Sequence, residues 1–461
     1  MIISSEINSK ENLLIASYFN EAGQVDFIRK QLTDEDMFNW KITSNPTPDI
    51  NWDGKYLEKS KTKWVSRFRT EELIQSKFTQ AELAKLYSEK KPYKWYSDIE
   101  IWLTSNEFPD PNEAKERVSL ITCLSDDNFI YVLSTMADLS KEQQDKMMAF
   151  VNKYVESHGQ TFKLKYVYYE QEENMLRAFF HKMLPKIPFL TGWNFMGFDW
   201  LYLVNRAKNI GIEPAAALLN KRLIGKAYMP SHLGLLDYME VFMNLKPYKV
   251  VENYKLGYIA NLVLGTKKLE HGNESMMEFQ KQTEKYIAYN IIDTILVKLI
   301  DDKLQLLDVA FEISNVARID VSRIFSSVYI TETLMCREFL SRGRKMASLD
   351  KAPLMDSTYD GAYVAKPVPG YYPLVACYDF ASMYPNLQIQ FNISPDAYLG
   401  KINQMNEEEV LDNIWTKNNT VFNSKNDSAA RTILSGLYNA RVETKNEIKK
   451  LEKKSLDVQV S

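Results

Sequence analysis

Apolar and polar positions change their rhythm several times along the chain. From Thr70 the segment TEELIQSKFTQAELAKLYSEKK places Leu73, Phe78, Leu83 and Leu86 at near-helical spacing, and residues 1 to about 95 read as a small α+β domain. At Lys94 the period drops to two. KWYSDIEIWL alternates, and ERVSLITCL and NFIYVL follow, separated by the turn signal Ser125-Asp126-Asp127, which predicts a three-stranded meander. IPFLTGW, Ile187 to Trp193, adds a strand with a helix directly after it. Glu278 to Leu306 reads as one long helix and Val316 to Arg344 as further helix. Strand character returns near Tyr359 with GAYV and YYPLVACYDF, and a charged helix begins near Ala429. Strands first and strand–helix units later predict an α/β and α+β multidomain protein.

Composition narrows the chemistry. The 461 residues suggest roughly three domains of about 150 residues, and 45% hydrophobic content supplies several cores. No apolar run reaches the roughly 18 residues of a membrane span. Three dispersed cysteines, Cys123, Cys336 and Cys377, and four scattered histidines argue against a disulfide framework and against zinc. Any metal should therefore be held by oxygen. The net charge of −3 gives no global basic excess, so a nucleic-acid surface must be local.

Asp98 and Glu100 fall on one face of their strand, with Ile99, Ile101 and Leu103 on the other. Asp-x-Glu by itself usually marks a solvated face. Asp199, in WNFMGFD, stands where a strand hands over to a helix, a place that also suits an N-cap. Tyr289 and Asp293, in YNIID, are four apart on a helix and share a face. Together they make the set that two-metal phosphodiester cleavage requires, several carboxylates for two cations about 4 Å apart and a hydroxyl to orient water.

DIE, NFMGFD and YNIID, in that order, resemble the three proofreading exonuclease motifs of B-family DNA polymerases, and EFPDPNEA and LLDYMEVF resemble their flanks, most nearly in replicative polymerases of large tailed phages. The resemblance implies a ribonuclease-H-like domain with Asp98, Glu100, Asp199 and Asp293 as ligands of two Mg²⁺ or Mn²⁺ ions and Tyr289 positioning the water. Between Asp199 and Leu235 the chain is shorter than in those relatives. RLIGKAYMPSHLG is read as a reduced form of their hairpin, with no strand-switching role assigned. Phe108, Asn194 and Phe195, beside the acids, are the expected DNA contacts, since aromatic rings stack on the bases of single strands.

YDGAYVAKPVPGYYPLVACYDFASMYPNLQIQFNISPDAYLG resembles the linker and first palm motif of the same family. Alternation in VACYDF puts Asp379 at the end of an apolar strand, where a cation would offset its desolvation. The resemblance implies that Asp379 and the main chain of Phe380 hold Mg²⁺. It also implies that Ser382 and Met383 meet a nucleoside triphosphate and that Tyr384 filters out ribonucleotides. Arg441 and Lys445, one helical turn apart in SGLYNARVETKNEIKKLEKK, match the triphosphate-binding pair of the first fingers helix. The later Lys-x-x-x-Asn-Ser-x-Tyr-Gly and Asp-Thr-Asp-Ser patterns do not occur in these 461 residues.

The expected organisation is an amino-terminal domain over 1–95, completed by about 310–357, an exonuclease over 96–309, a first palm section over 358–430 and a fingers helix over 431–461. The expected role is viral DNA replication in a bacterial cytoplasm, as a subunit or fragment of a polymerase with a complete 3′-to-5′ exonuclease. Its partners would be primer–template DNA, a single-stranded 3′ end, deoxynucleoside triphosphate and a second chain bearing the missing motifs, with a sliding clamp left open and no membrane. A stand-alone exonuclease and a non-catalytic DNA-binding scaffold are the alternatives.

Overall fold

The computed structural model describes residues 1–105, 107–214, 219–224, 227–230, 232–266, 268–269, 274–348 and 363–460. They group into two units, Met1–Leu32 with Gln75–Ile330, and Thr33–Ile74 with Thr331–Ser461.

The first unit is built on a six-stranded mixed sheet. Its spatial order is Gly234–Asp237, Phe189–Gly192, Lys94–Ile101, Val118–Ser125, Phe129–Ser134 and Lys163–Tyr168. The expected meander is present, with Lys94–Ile101 antiparallel to Val118–Ser125, itself antiparallel to Phe129–Ser134. Phe189–Gly192 runs parallel to Lys94–Ile101 on its other edge. Alternation divides the side chains between two cores. Ile99, Ile101, Ile121 and Leu190 pack on one face with Trp200 and Leu203 of helix Asp199–Asn209. Tyr96, Leu120, Leu124 and Phe189 pack on the other with the buried length of helix Thr283–Leu304. A separate meander, Ile2–Asn8, Leu13–Phe19 and Val25–Gln31, belongs to the same unit.

The buried base of the sheet is tied to the helices by Asp301, which is fully buried. It accepts hydrogen bonds from Lys94 Nζ and Tyr96 Oη at 2.9 Å each and from the Leu307 N–H at 3.0 Å.

In the second unit the hairpin Phe38–Thr43/Tyr56–Lys61 buries Phe38, Trp40 and Leu57. Arg67 pairs with Glu332, and Glu71 with Arg337 at 2.9 Å. A three-stranded sheet orders Tyr398–Lys401, Thr420–Phe422 and Ile414–Trp415, and the charged helix runs from Ala429 to Val460.

Several expected elements are revised. The apolar stretch from Thr70 is two helices, Arg67–Lys77 and Gln80–Leu86, because Thr79 caps the second through a capping box with Glu82. The helix expected from Glu278 is interrupted, Met276–Phe279 and then Thr283–Leu304. Val316 to Arg344 is not continuous either: one helix ends at Ala317, Arg318 turns left-handed, and the next begins at Ser327. The break is held by Ile319 N–H donating to the Ser314 carbonyl and Ser314 Oγ donating to the Ile319 carbonyl. YYPLVACYDF forms no strand. Leu374, Val375 and Tyr378 are exposed there, and no described strand pairs with it, so its N–H and C=O groups have no ladder to join. Gly361 and Ala362 of GAYV and the signal near Tyr359 lie outside the described residues, and Tyr363 and Val364 form no strand and are exposed.

The backbone of Leu219–Ile224 pairs antiparallel with Ala227–Pro230 within the segment read as a reduced hairpin. Cys123, Cys336 and Cys377 are all free. Among the described residues no helix is long and apolar enough to cross a membrane.

Candidate active site

The Lys94–Ile101 strand sends Ile99 and Ile101 into one core and turns Asp98 and Glu100 toward helix Thr283–Leu304. There Asn290 Nδ2 donates to Asp98 Oδ2 at 2.7 Å and Tyr286 Oη donates to Glu100 Oε2 at 3.0 Å. The Thr122 hydroxyl donates to the Asn290 side-chain Oδ1, which fixes the amide so that its NH₂ faces the acid. Neither Asn290 nor Tyr286 was singled out from the sequence, although Asn290 lies inside YNIID and Tyr286 one turn before it.

Asp199 reaches the same region by a tight turn. Gly192 ends the neighbouring strand so close to Lys94–Ile101 that an added Cβ would stand 2.2 Å from the Ser97 carbonyl oxygen. Asn194 then adopts a left-handed backbone (φ 56°) and Phe195 plugs the turn into the core. Asp237 clamps it, accepting from the Met196 N–H at 3.0 Å while capping its own helix through the Met239 N–H at 2.9 Å. Asp199 is the first helical residue rather than the N-cap, and its Oδ1 accepts the Ile99 N–H at 3.0 Å. Phe195 cannot be a base contact, since it is wholly buried. The turn needs an anchor, and the ring supplies it. Phe108 is 81% exposed and packs against Phe198 with ring centroids 5.1 Å apart. It stays available, as does the exposed Asn194.

Tyr289 and Asp293 do share a face, and the structure adds a group to it that no spacing foretold. Lys268 Nζ lies 2.5 Å from Asp293 Oδ2 and 4.4 Å from the centre of the Tyr289 ring. The other oxygen of Asp293, Oδ1, is buried with no hydrogen-bond partner among the described residues. Asp98, Asp293, Lys268, Phe108, Asn194 and Trp193 line one cleft of about 810 Å³. Its far wall runs from Asn253 to Tyr258 and is pinned by Trp193 Nε1 donating to the Tyr254 carbonyl at 2.9 Å.

Burying so many carboxylates together disfavours their charged forms. Burial, then the neighbouring Asp199, Glu100 and Asp293 charges, pushes Asp98 well above the usual carboxylate range. Burial and then Asp293 raise Glu100 to about 7. Burial lifts Asp199 strongly despite the hydrogen bond from Ile99, and lifts Asp293 to about 6 despite Lys268. Burial works against the Lys268 charge, yet Asp293 and Tyr289 hold its ammonium above the ordinary lysine value. Among the described residues no three carboxylate, imidazole or thiolate groups are gathered tightly enough to hold one ion as they stand. The donors are nonetheless all hard oxygens, and one of them, Asp293 Oδ1, is unpartnered, as suits Mg²⁺ or Mn²⁺. In the structure Lys268 supplies the only cationic side chain in contact with this acidic set among the described residues.

The second group of sequence candidates lies in the other unit. Arg441 Nη1 donates to Ser382 Oγ at 2.6 Å, which joins the two sequence segments directly. Met383 begins the helix Met383–Gln390, and Tyr384, Asp379 and Phe380 are exposed. Lys445 is also exposed, one turn beyond Arg441. The expected apolar strand end beneath Asp379 is thus absent, for want of a pairing strand.

The description "DNA polymerase family B, exonuclease domain" matches residues 48–229, and "DNA polymerase family B" matches residues 319–460. The chain belongs to DNA polymerase family B. It is 25% identical over 422 residues to the DNA-directed DNA polymerase of Escherichia phage RB69, covering 83% of this chain and 46% of that one. It is 24% identical to the DNA-directed DNA polymerase of Enterobacteria phage T4 (66% and 36%) and 30% identical to a DNA polymerase of Archaeoglobus fulgidus (58% and 33%). The chain therefore spans less than half the length of these curated relatives. The family matches enclose Asp98, Glu100 and Asp199 in one segment and Asp379, Ser382, Arg441 and Lys445 in the other.

Proposed function

We propose that this B-family chain is a divalent-metal-dependent 3′-to-5′ exonuclease acting on single-stranded DNA ends, within a ribonuclease-H-like domain. The observation that carries the reading is the set of four carboxylates on adjacent elements, each held above its ordinary pKa by burial with the others, with two of them opening on one cleft. Asp98, Glu100, Asp199 and Asp293 would hold the metal. Bound there, Mg²⁺ or Mn²⁺ would supply positive charge to the scissile phosphate and lower the pKa of an attacking water. Asn290 and Tyr286 orient Asp98 and Glu100, Tyr289 offers its hydroxyl to the water, and Phe108 stacks on the terminal base.

The cluster around Asp379, Ser382, Tyr384 and Arg441 is, on the same reading, part of a polymerase site. Asp379 and the Phe380 main chain would take Mg²⁺, and Arg441 and Lys445 the phosphates of a deoxynucleoside triphosphate. Completion would come from the later polymerase motifs that these 461 residues do not contain, and the whole would replicate viral DNA in a bacterial cytoplasm. The hydrogen bond between Arg441 and Ser382 supports this assignment.

The test is release of nucleotides from a 5′-labelled single strand by the purified chain in Mg²⁺ or Mn²⁺. We expect stepwise shortening from the 3′ end, abolished in Asp98→Ala/Glu100→Ala, and no primer extension. Equal hydrolysis by that variant would return the chain to a DNA-binding scaffold.

A further inference from the structure

We propose a nucleotide-binding pocket in the second unit, separate from the acidic cluster and from the Asp379 region, that takes one unpaired nucleotide of a single strand by its base and phosphate. The inference rests on the single-strand reading above for the source of its ligand, and on the pocket alone for the ligand's chemistry.

The pocket is built by backbone hydrogen bonds. Helix Ser327–Ser341 ends in a paired C-terminal cap: Arg344 N–H donates to the Phe339 carbonyl at 2.8 Å and Gly343 N–H to the Leu340 carbonyl at 3.0 Å, with Gly343 left-handed (φ 70°). This reversal brings the Arg344 backbone back to Phe339. Lys345 N–H then donates to the Ile50 carbonyl and Trp52 N–H to the Lys345 carbonyl, both at 3.0 Å, which brings Trp52 alongside. Trp52 and Phe339 stack with centroids 6.0 Å apart and planes within 20°. Asn423, Asn426, Asp396 and Asp427 complete a cavity of about 450 Å³, inside the usual range for small-molecule sites.

The charges lining it are sorted by what they already hold. Arg342 is spent on Glu338, the Asp427 carbonyl and Thr432 Oγ1. Asp396 is spent on the Ser394 hydroxyl and the Ala429 N–H, and Asp427 on Arg431 at 3.0 Å. The half-buried Arg344 guanidinium and the exposed Asn426 side-chain amide have no partner among the described residues. The half-buried Trp52 ring, backed by the buried Phe339, an uncommitted guanidinium and an amide with both donor and acceptor match a base face, a phosphate and a base edge. An apolar ligand would leave the guanidinium and the amide unmatched.

The experiment uses the full chain carrying Asp98→Ala/Glu100→Ala, so that strands survive, and fluorescence anisotropy with a labelled oligothymidylate in EDTA. Adding Arg344→Ala should weaken binding about five- to tenfold and flatten the dependence of log K on log salt by about 0.7, one single-strand phosphate. An oligonucleotide bearing 5-iodouracil should crosslink to the peptide containing Trp52. Displacement of the strand by deoxyadenosine monophosphate at low concentration would overturn the strand as the ligand in favour of a free nucleotide, and strand binding that survives it supports the site as stated. Unchanged affinity and salt slope in the Arg344→Ala chain, or crosslinks confined to the Asp98 cleft, would overturn it. Hydrolysis by the wild-type chain, measured beside it, reports on the exonuclease reading independently.

Discussion

Held in EDTA, the first unit of this chain should lose stability as the pH rises, the reverse of what salt-bridged carboxylates produce. A carboxylate whose folded pKa is raised contributes stability that is present below its unfolded value and lost as the pH climbs through the folded one. Glu100 is held at about 7 against 4.5, and Asp293 at about 6 against 3.8. At ~1.4 kcal/mol per pH unit each acid alone carries about 3 kcal/mol, and since the cluster titrates as a set rather than acid by acid, about 3 kcal/mol in total is the working figure. At about 2 °C per kcal/mol for a unit of this size, the melting temperature in EDTA should fall by roughly 6 °C between pH 5 and pH 7.5. Millimolar Mn²⁺ should recover most of it at the upper pH, since a ligand that binds only the folded state stabilises it. The assay is thermal unfolding by tryptophan fluorescence across that range, for the wild type and for Glu100→Gln. The variant removes the most relevant titration and should flatten the EDTA curve; the difference matters because Asp237, also raised to about 6 by burial, slopes the same way in both proteins. Superimposable pH dependences for wild type and variant, or a wild-type curve that rises toward pH 7.5, would refute the electrostatic account of the cluster.

Three further outcomes can be measured alongside. Lys268→Met removes the ammonium from Asp293, and because the lysine side chain is 30% exposed the expected metal-free loss is about 2 kcal/mol rather than the 3–5 of a fully buried pair; Mn²⁺ titrated by electron paramagnetic resonance should bind more tightly, and weaker binding would contradict the competition. Asn290→Ala frees Asp98 and strands the Thr122 hydroxyl, which should cost about 2 kcal/mol and lower exonuclease turnover roughly 10- to 100-fold, read by single-turnover cleavage. Gly192→Ala would set a methyl group against the Ser97 carbonyl and should destabilise the sheet by about 3 kcal/mol, visible in urea unfolding.

What was readable in the sequence was what local period controls. Alternation alone gave Asp98 and Glu100 a common face, and four-residue spacing did so for Tyr289 and Asp293. Lys268 escaped because it stands on an irregular segment, where its position depends on tertiary packing and leaves no period behind. Phe195 differs from expectation for a related reason: an aromatic beside clustered acids reads alike whether it plugs a turn or meets a base. The helix break at Arg318 gave no sign, since a left-handed arginine carries none of the punctuation of glycine or proline. VACYDF shows the opposite limit, a strong strand pattern that makes no strand without a ladder to join.

The interleaving of the two units governs the order in which they can be finished on the ribosome. Thr33–Ile74 emerges early, but the segment it closes with begins at Thr331, so Glu71 waits for Arg337, which stands 266 positions later. At about 5–20 residues per second that is roughly 10–50 s. Through that interval Phe38 and Trp40 are covered by their own hairpin and by Arg69 and Glu72 of the helix that follows it, while the cover that Lys345 and Ala347 add arrives only with the later segment.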